Sequence, residues 1–448
     1  MAFLLIPIII FIVIATWQFI EKPHLAVGSI LLASVISALF YDKPIELGVS
    51  IYAHDIVFVP LFCSIIYRLF FKGEISSVSI LWIFYGALLF HSVFSGILQV
   101  GTVAANDFRS CFFYWTGALY FMSFQYNEAT IEKLIKYWLF TSLVLLALVY
   151  FRFVADFANL SIAEDWRKAD PTGVRFRVVF AAPTYLLGVS VIMLFHKYLI
   201  PHLSKPSKIL TVLFIIAVIV LQHRSVWMAT LIAISSSLLI PKIKKTKVIS
   251  NLMLIGFIGF ILLIPLVYLG YADKFIATIS ESAVNGTQLT TGTFGARLKG
   301  WNFILNYWDR MSFMNKSLGE PFGTLYAKGR NVPHNFYLQA LLRVGILGVI
   351  ILFSVYLLTI IKLFFILLKK KDLNIYSSLF LMLLIGQQTF YIPYGQQAEH
   401  GILLGIAISL AKRKKLSNPK ESNIDNPITL GKAWPVKSEK NNITLKTF

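Results

Sequence analysis

The chain has 448 residues, 57% hydrophobic and only 14% charged, with a mean hydropathy of +0.73. Soluble domains carry about 25% charged residues, so a soluble multidomain protein, a disordered chain and a small disulfide scaffold are excluded. The formal charge of +20 would direct a soluble protein toward nucleic acid. Here the bases stand in short clusters between long apolar runs, which is a pattern of membrane topology and argues against a nucleic-acid partner.

A helix crossing a hydrocarbon core about 30 Å thick needs roughly 20 apolar residues. In chain order the candidate spans are Phe3–Ile20, Leu25–Tyr41, Ile56–Phe71, Ile80–Val100, Cys111–Phe124, Leu134–Val154 and Val179–Ile200. They continue with Ile209–Leu221, Val226–Ile240, Leu252–Gly270, Val344–Leu368, Leu373–Phe390 and Gly401–Ala411. The expectation is an all-α polytopic membrane protein with about 12–13 transmembrane helices and one large extracytoplasmic loop. The first run lacks a basic leader and a small-residue cleavage site, so it reads as a retained segment. Cys63 and Cys111 lie in apolar runs and read as buried structural residues.

Orientation follows the lysine clusters. Lys205 and Lys208, then Lys242, Lys244, Lys245 and Lys247, then Lys369 to Lys371, then Lys412 to Lys415 with Arg413, mark the cytoplasmic side. Two short helices fit between the first two clusters, which places the tip Gln222-His-Arg-Ser225 on the opposite side. The same parity sends Tyr394–His400 there. The organisation is then N-terminal helices over 1–270, a loop over 271–343, C-terminal helices over 344–411 and a basic cytoplasmic tail over 412–448, whose composition reads as disordered.

The loop carries eight Lys/Arg and four acids, an excess of positive charge on the side where it is not expected. A second outer segment covers 156–177. Arg224, at the hairpin tip, has two readings: a snorkelling anchor, or a cation holding an anion, for which the planar guanidinium suits phosphate. Arg297 and Trp301, four apart in a helix-like stretch from Gly295 to Trp308, read either as a solvated amphipathic helix or as a phosphate contact with a stacking platform for a sugar ring. The run Pro333-His-Asn-Phe-Tyr begins the next span. Asn331 or Asn335 fits a helix cap with Pro333 near the start, leaving His334 at the outer surface as a candidate general base. Arg109, Arg177 and the loop residue Arg330 are further candidate phosphate contacts; for Arg109 and Arg177 an interfacial anchor is the other reading. No Walker loop, dinucleotide-binding glycine pattern, Cys/His metal cluster, Gly-x-Ser-x-Gly or HExxH occurs. Nothing calls for a cofactor or a metal.

Three pieces together resemble the O-antigen ligase and O-antigen polymerase superfamily of bacterial envelope glycosyltransferases. They are the arginine in Gln222-His-Arg-Ser-Val-Trp227, the arginine in Ala296-Arg-Leu-Lys-Gly-Trp301, and His334-Asn335 followed by Gly345 and Gly348. The resemblance implies a GT-C-like fold in the bacterial inner membrane with the active site facing the periplasm. It implies metal-independent, inverting transfer of a glycan from undecaprenyl diphosphate to a lipid A-core or other glycan acceptor, among membrane lipids. Arg224 and Arg297 would bind the diphosphate and His334 would activate the acceptor hydroxyl. Asn335, Trp301, Arg330, Arg177 and Arg109 would line the substrate site. A repeat-unit polymerase of the same superfamily is the nearest alternative. A transporter or flippase predicts ionisable residues deep within spans and internal repeats, which the chain does not show. A monophosphate-sugar transferase predicts an acidic pair in the first outer loop, which Asp42 and Asp55, thirteen apart, do not form.

Overall fold

A computed structural model describes residues 2–40, 43–46, 50–71, 77–157, 178–199, 207–221, 223–241, 243–268, 292–325, 333–369 and 375–412. Each apolar run folds as a helix, because a chain without water around it can satisfy its peptide groups only internally. These helices are α1 (Ala2–Glu21), α2 (Pro23–Leu39), α3 (Ala53–Phe71), α4 (Ser77–Val100), α5 (Thr102–Met122), α6 (Glu128–Phe157) and α7 (Ala181–Leu199). They continue as α8 (Lys208–Val220), α9 (Arg224–Ser236), extended by a 3₁₀ turn at Ser237–Leu239, and α10 (Lys245–Tyr268). Two loop helices follow, α11 (Gly292–Asp309) and α12 (Phe313–Leu318), then α13 (Phe336–Lys369), α14 (Ile375–Tyr391) and α15 (Ala398–Ala411).

Four helices are long and apolar enough to cross a membrane by length and composition: Ala53–Phe71, Val78–Val100, Glu128–Ala155 and Phe336–Lys369. Further apolar helices of 10–17 residues accompany them, including Lys208–Val220 and Ala398–Ala411. Trp17, Phe70, Leu98 and Phe140 stand exposed on helix surfaces. Apolar exposure on that scale fits a lipid surround and not water. The protein is a mostly helical one with the make-up of a membrane protein. One departure from an all-α chain is a short ribbon in which Ile45–Glu46 pairs antiparallel with Ser50–Ile51. The tail beyond Lys412 and the segment 158–177 lie outside the described residues.

Alternating helix directions collect the termini at two ends. At one end Arg68, near the end of α3, donates to the Ile20 and Ser123 carbonyls, and Lys412 donates to Met122 O at 2.9 Å. At the other, Arg152 of α6 donates to the carbonyls of Ala38 and Val178, each at 2.8 Å, and so ties α2 and the entry to α7 together. Helix α5 begins at Thr102 instead of near Cys111, so Asp107 and Arg109 belong to a helix. Helix α13 begins at Phe336 and not at Val344, because Asn335 caps it: Asn335 Oδ1 accepts from the Leu338 amide at 3.0 Å.

Helix α13 is broken at Gly345, where φ is 63° and ψ −170°. The sequence suggests close packing against neighbouring helices for this glycine; the structure gives it a different task. The break admits the segment after α12. A Cβ on Gly345 would stand 2.3 Å from Ser317 O, and one on Gly319, at φ 91°, 2.3 Å from the Arg343 carbonyl carbon. Glu320 N donates to Leu342 O at 2.6 Å, filling an acceptor that the kink exposes. Gly345→Ala combines a disfavoured φ with a backbone clash. It is expected to cost about 1–3 kcal/mol or more, measured as a drop in the thermal unfolding midpoint in detergent, whereas Gly300→Ala, inside α11 and facing open space, is expected to hold or raise that midpoint.

Candidate functional site

The end that holds the entries to α3, α7, α9, α13 and α15 gathers the candidate residues. His334 is exposed immediately before the capped start of α13. Helix α11 lies across the first two turns of α13, with Ile304 buried against Leu342 and with Tyr307, Met311 and Leu338 around them. Arg297 is two turns upstream of Ile304, and its guanidinium carbon is 5.7 Å from the centre of the Tyr394 ring. Tyr394 belongs to the link between α14 and α15. Its ring stacks on Phe390 at 5.1 Å, and Phe390 stacks on Tyr185 at 4.3 Å. Trp301, one turn beyond Arg297, is partly buried. The helix expected from Gly295 to Trp308 thus forms, and it sets Arg297 and His334 on two elements packed against each other.

Arg224 is exposed at the first position of α9. The preceding His223 is buried and donates through Nε2 to Val179 O at 2.9 Å, which holds the hairpin tip against the entry to α7. Helix α9 packs on α14 around Gly386, where a Cβ would lie 2.9 Å from Ala229 O. The two run antiparallel, so Arg224, a turn and a half before that contact, is at the level of the last turn of α14. Arg224, Arg297 and His334 therefore occupy one end of the bundle.

Arg109 is engaged elsewhere at this end. It pairs with Asp55 at 3.0 Å, donates to Ser50 O at 3.2 Å and lies 4.6 Å over the Tyr52 ring, fastening the ribbon to α5. Asp55 in turn accepts from the Tyr52 amide at 2.8 Å. Arg177 and Arg330 lie outside the described residues, as does Asn331.

Two features of this end are not apparent in the sequence. One is a buried ion pair, Arg343 Nη2 to Asp107 Oδ2 at 2.8 Å, with both side chains out of contact with solvent. The other is a polar layer beneath the α14–α15 link. Gln396 Nε2 meets Cys111 Sγ at 2.6 Å, Tyr114 and Tyr356 share a hydrogen bond of 2.6 Å, and Gln387 donates to Tyr391 Oη and His400 O. At its edge Ser34 bridges His54, at 3.0 Å, and buried Glu399, at 3.5 Å. The doublets Gln387-Gln388 and Gln396-Gln397 inside apolar sequence were the available signal. On the loop side Tyr307 donates to Glu320 Oε1 at 2.7 Å. Burial, then that bond and the carboxylate charge, push its phenol up to about 12.

Among the described residues no group of three or more His, Cys, Asp and Glu is placed to hold a metal ion. No protein-family model matches the chain, and no curated protein matches it. The chemistry the arrangement offers is that of two guanidinium groups and an imidazole at one end of an apolar bundle. Guanidinium groups bind a multiply charged oxyanion through paired N–H donors, and an exposed imidazole can take a proton.

The adjacent residues His334 and Asn335 separate by role. Asn335→Ala removes a cap and is expected to lower stability by about 1 kcal/mol. His334→Ala, at an exposed position, is expected to shift it by less than about 0.5 kcal/mol. Thermal unfolding of the two variants in the same detergent checks the contrast.

Proposed function

We propose that the protein is a multi-pass glycosyltransferase of the bacterial envelope, on a GT-C-like framework in the inner membrane, with the site end facing the periplasm. It moves a glycan from undecaprenyl diphosphate to an acceptor hydroxyl. The observation that carries this reading is the gathering of Arg224, Arg297 and exposed His334 at the bundle end opposite the lysine-bearing helix ends. Such charge on an apolar protein suits a ligand with a diphosphate head and a hydrocarbon tail.

The reaction follows from the groups. His334 takes the proton of the acceptor hydroxyl as its oxygen attacks the anomeric carbon. The bond from that carbon to the diphosphate oxygen breaks, and the electron pair leaves on the lipid diphosphate. Arg224 and Arg297 hold the growing negative charge. Attack opposite the leaving group inverts the anomeric centre. The donor already carries a good leaving group, so no nucleotide is consumed. Low dielectric near the lipid boundary strengthens the arginine–phosphate attraction.

The test is transfer by purified protein in lipid, with a lipid-diphosphate-linked glycan donor and two acceptors, lipid A-core and lipid-linked repeat units. His334→Ala and Arg224→Ala are each expected to lower the rate by about 100-fold or more while the protein inserts and unfolds as wild type does. Capping of lipid A-core marks a ligase, and growth of the lipid-linked chain a repeat-unit polymerase. Near-wild-type transfer by both variants contradicts the mechanism.

A further inference from the structure

The return segment 319–324, which brings the loop back from α12, is threaded among α4, α5 and α13. Its contacts are dense for a stretch with no regular structure. Phe322 N donates to Ser92 O at 3.2 Å and Ser92 Oγ donates to Glu320 O at 2.8 Å. Gly323 N donates to Asp107 Oδ2 at 3.0 Å. Arg343 donates from Nη1 to Pro321 O at 2.7 Å and to Thr324 Oγ1 at 2.8 Å, and from Nη2 to Thr324 O at 3.0 Å. The same guanidinium closes on Asp107 at 2.8 Å. Four hydrogen bonds from residues 321–324 thus converge on one buried ion pair.

This junction has two connections toward the candidate site. Arg343 is nine residues past His334 on the capped first stretch of α13, before the break at Gly345. Glu320, inside the threaded segment, accepts from Tyr307, which is on the helix that carries Arg297. We infer that Asp107 and Arg343 are positioning residues: their ion pair pins the return segment to the bundle and fixes where His334 and α11 stand over the site. This rests on the glycosyltransferase reading for what is positioned, while the pin itself rests on the contacts alone.

Two measurements on the full-length protein in lipid nanodiscs separate those parts. Hydrogen exchange reads the pin through the amides of Glu320, Phe322 and Gly323, all of which are donors in it. Transfer kinetics read the positioning. Two variants are used. Asp107→Asn keeps an acceptor for Gly323 N but removes the charge facing Arg343. The double variant Asp107→Asn/Arg343→Gln removes the ion pair without leaving a buried charge uncompensated, and so stays informative if Asp107→Asn fails to fold.

In both variants exchange at residues 320–323 is expected to quicken by about 100-fold, while α5 and α15 stay protected. The kcat is expected to fall about tenfold or more, with donor KM rising less than the roughly tenfold expected for Arg297→Ala, because Arg224 is held by a different part of the fold. A general loss of stability would quicken exchange throughout the bundle. Exchange at 320–323 as slow as wild type in the double variant overturns the pin. Faster exchange with unchanged kcat overturns the positioning role. Wild-type protein that transfers nothing from a lipid-diphosphate donor, with the exchange result intact, overturns the glycosyltransferase reading and the positioning role with it, and supports the pin alone.

Discussion

The ion pair between Asp107 and Arg343 is the interaction on which the site end depends. A chain surrounded by hydrocarbon must satisfy each peptide group from within, which is why nearly every described element is a helix. The segment 319–324 is not helical, yet Phe322 and Gly323 within it are buried. It is tolerated because Ser92, Leu342, Asp107 and Arg343 supply its donors and acceptors. Removing one partner of such a pair leaves a charge stranded, at a cost of about 3–5 kcal/mol. The same pair joins α5 to α13, so a local requirement for hydrogen bonds becomes a constraint on where the loop helices rest.

That constraint explains the glycines around it. Gly345 breaks α13 so that Leu342 can offer its carbonyl to Glu320, and Gly319 lets the chain pass against the Arg343 carbonyl. Capping by Asn335 starts α13 at Phe336, two residues past His334. Burial of Ile304 against Leu342 lays α11 over the same turns. Arg297 then reaches Tyr394, and the aromatic stack through Phe390 and Tyr185 carries this face across to α7. The hairpin that bears Arg224 is fastened separately, through His223 and Val179.

The helices were legible in the sequence because apolar length is a strong signal: over the described residues, each run from Phe3–Ile20 to Gly401–Ala411 is carried by a helix. The loop helix around Arg297 and the cap at Asn335 were legible for the same kind of local reason. What escaped depends on distance along the chain. Asp107 and Arg343 are more than two hundred residues apart, and a lone acid beside Arg109 looks like a helix end. Arg343 sits at the edge of the loop's basic run, and nothing local distinguishes it from the other loop bases. Gly345 beside Gly348 reads as a packing pair, and only the positive φ shows that one of them is a break. The ribbon at 45–51 is too short to leave a periodic trace. Arg109, one of the candidate phosphate contacts, is bound to Asp55 and Ser50, a pairing across about fifty residues that spacing does not reveal.

On the glycosyltransferase reading proposed above, the charge at the site end is arranged for a lipid diphosphate. The most direct test of that arrangement is equilibrium binding of polyprenyl diphosphate, polyprenyl monophosphate and neutral polyprenol to the protein in nanodiscs, compared with Arg224→Ala and Arg297→Ala. The account predicts that the diphosphate binds at least about tenfold tighter than the monophosphate, and that each substitution removes about tenfold of that affinity. Equal affinity for all three lipids, unaltered by either substitution, would contradict it.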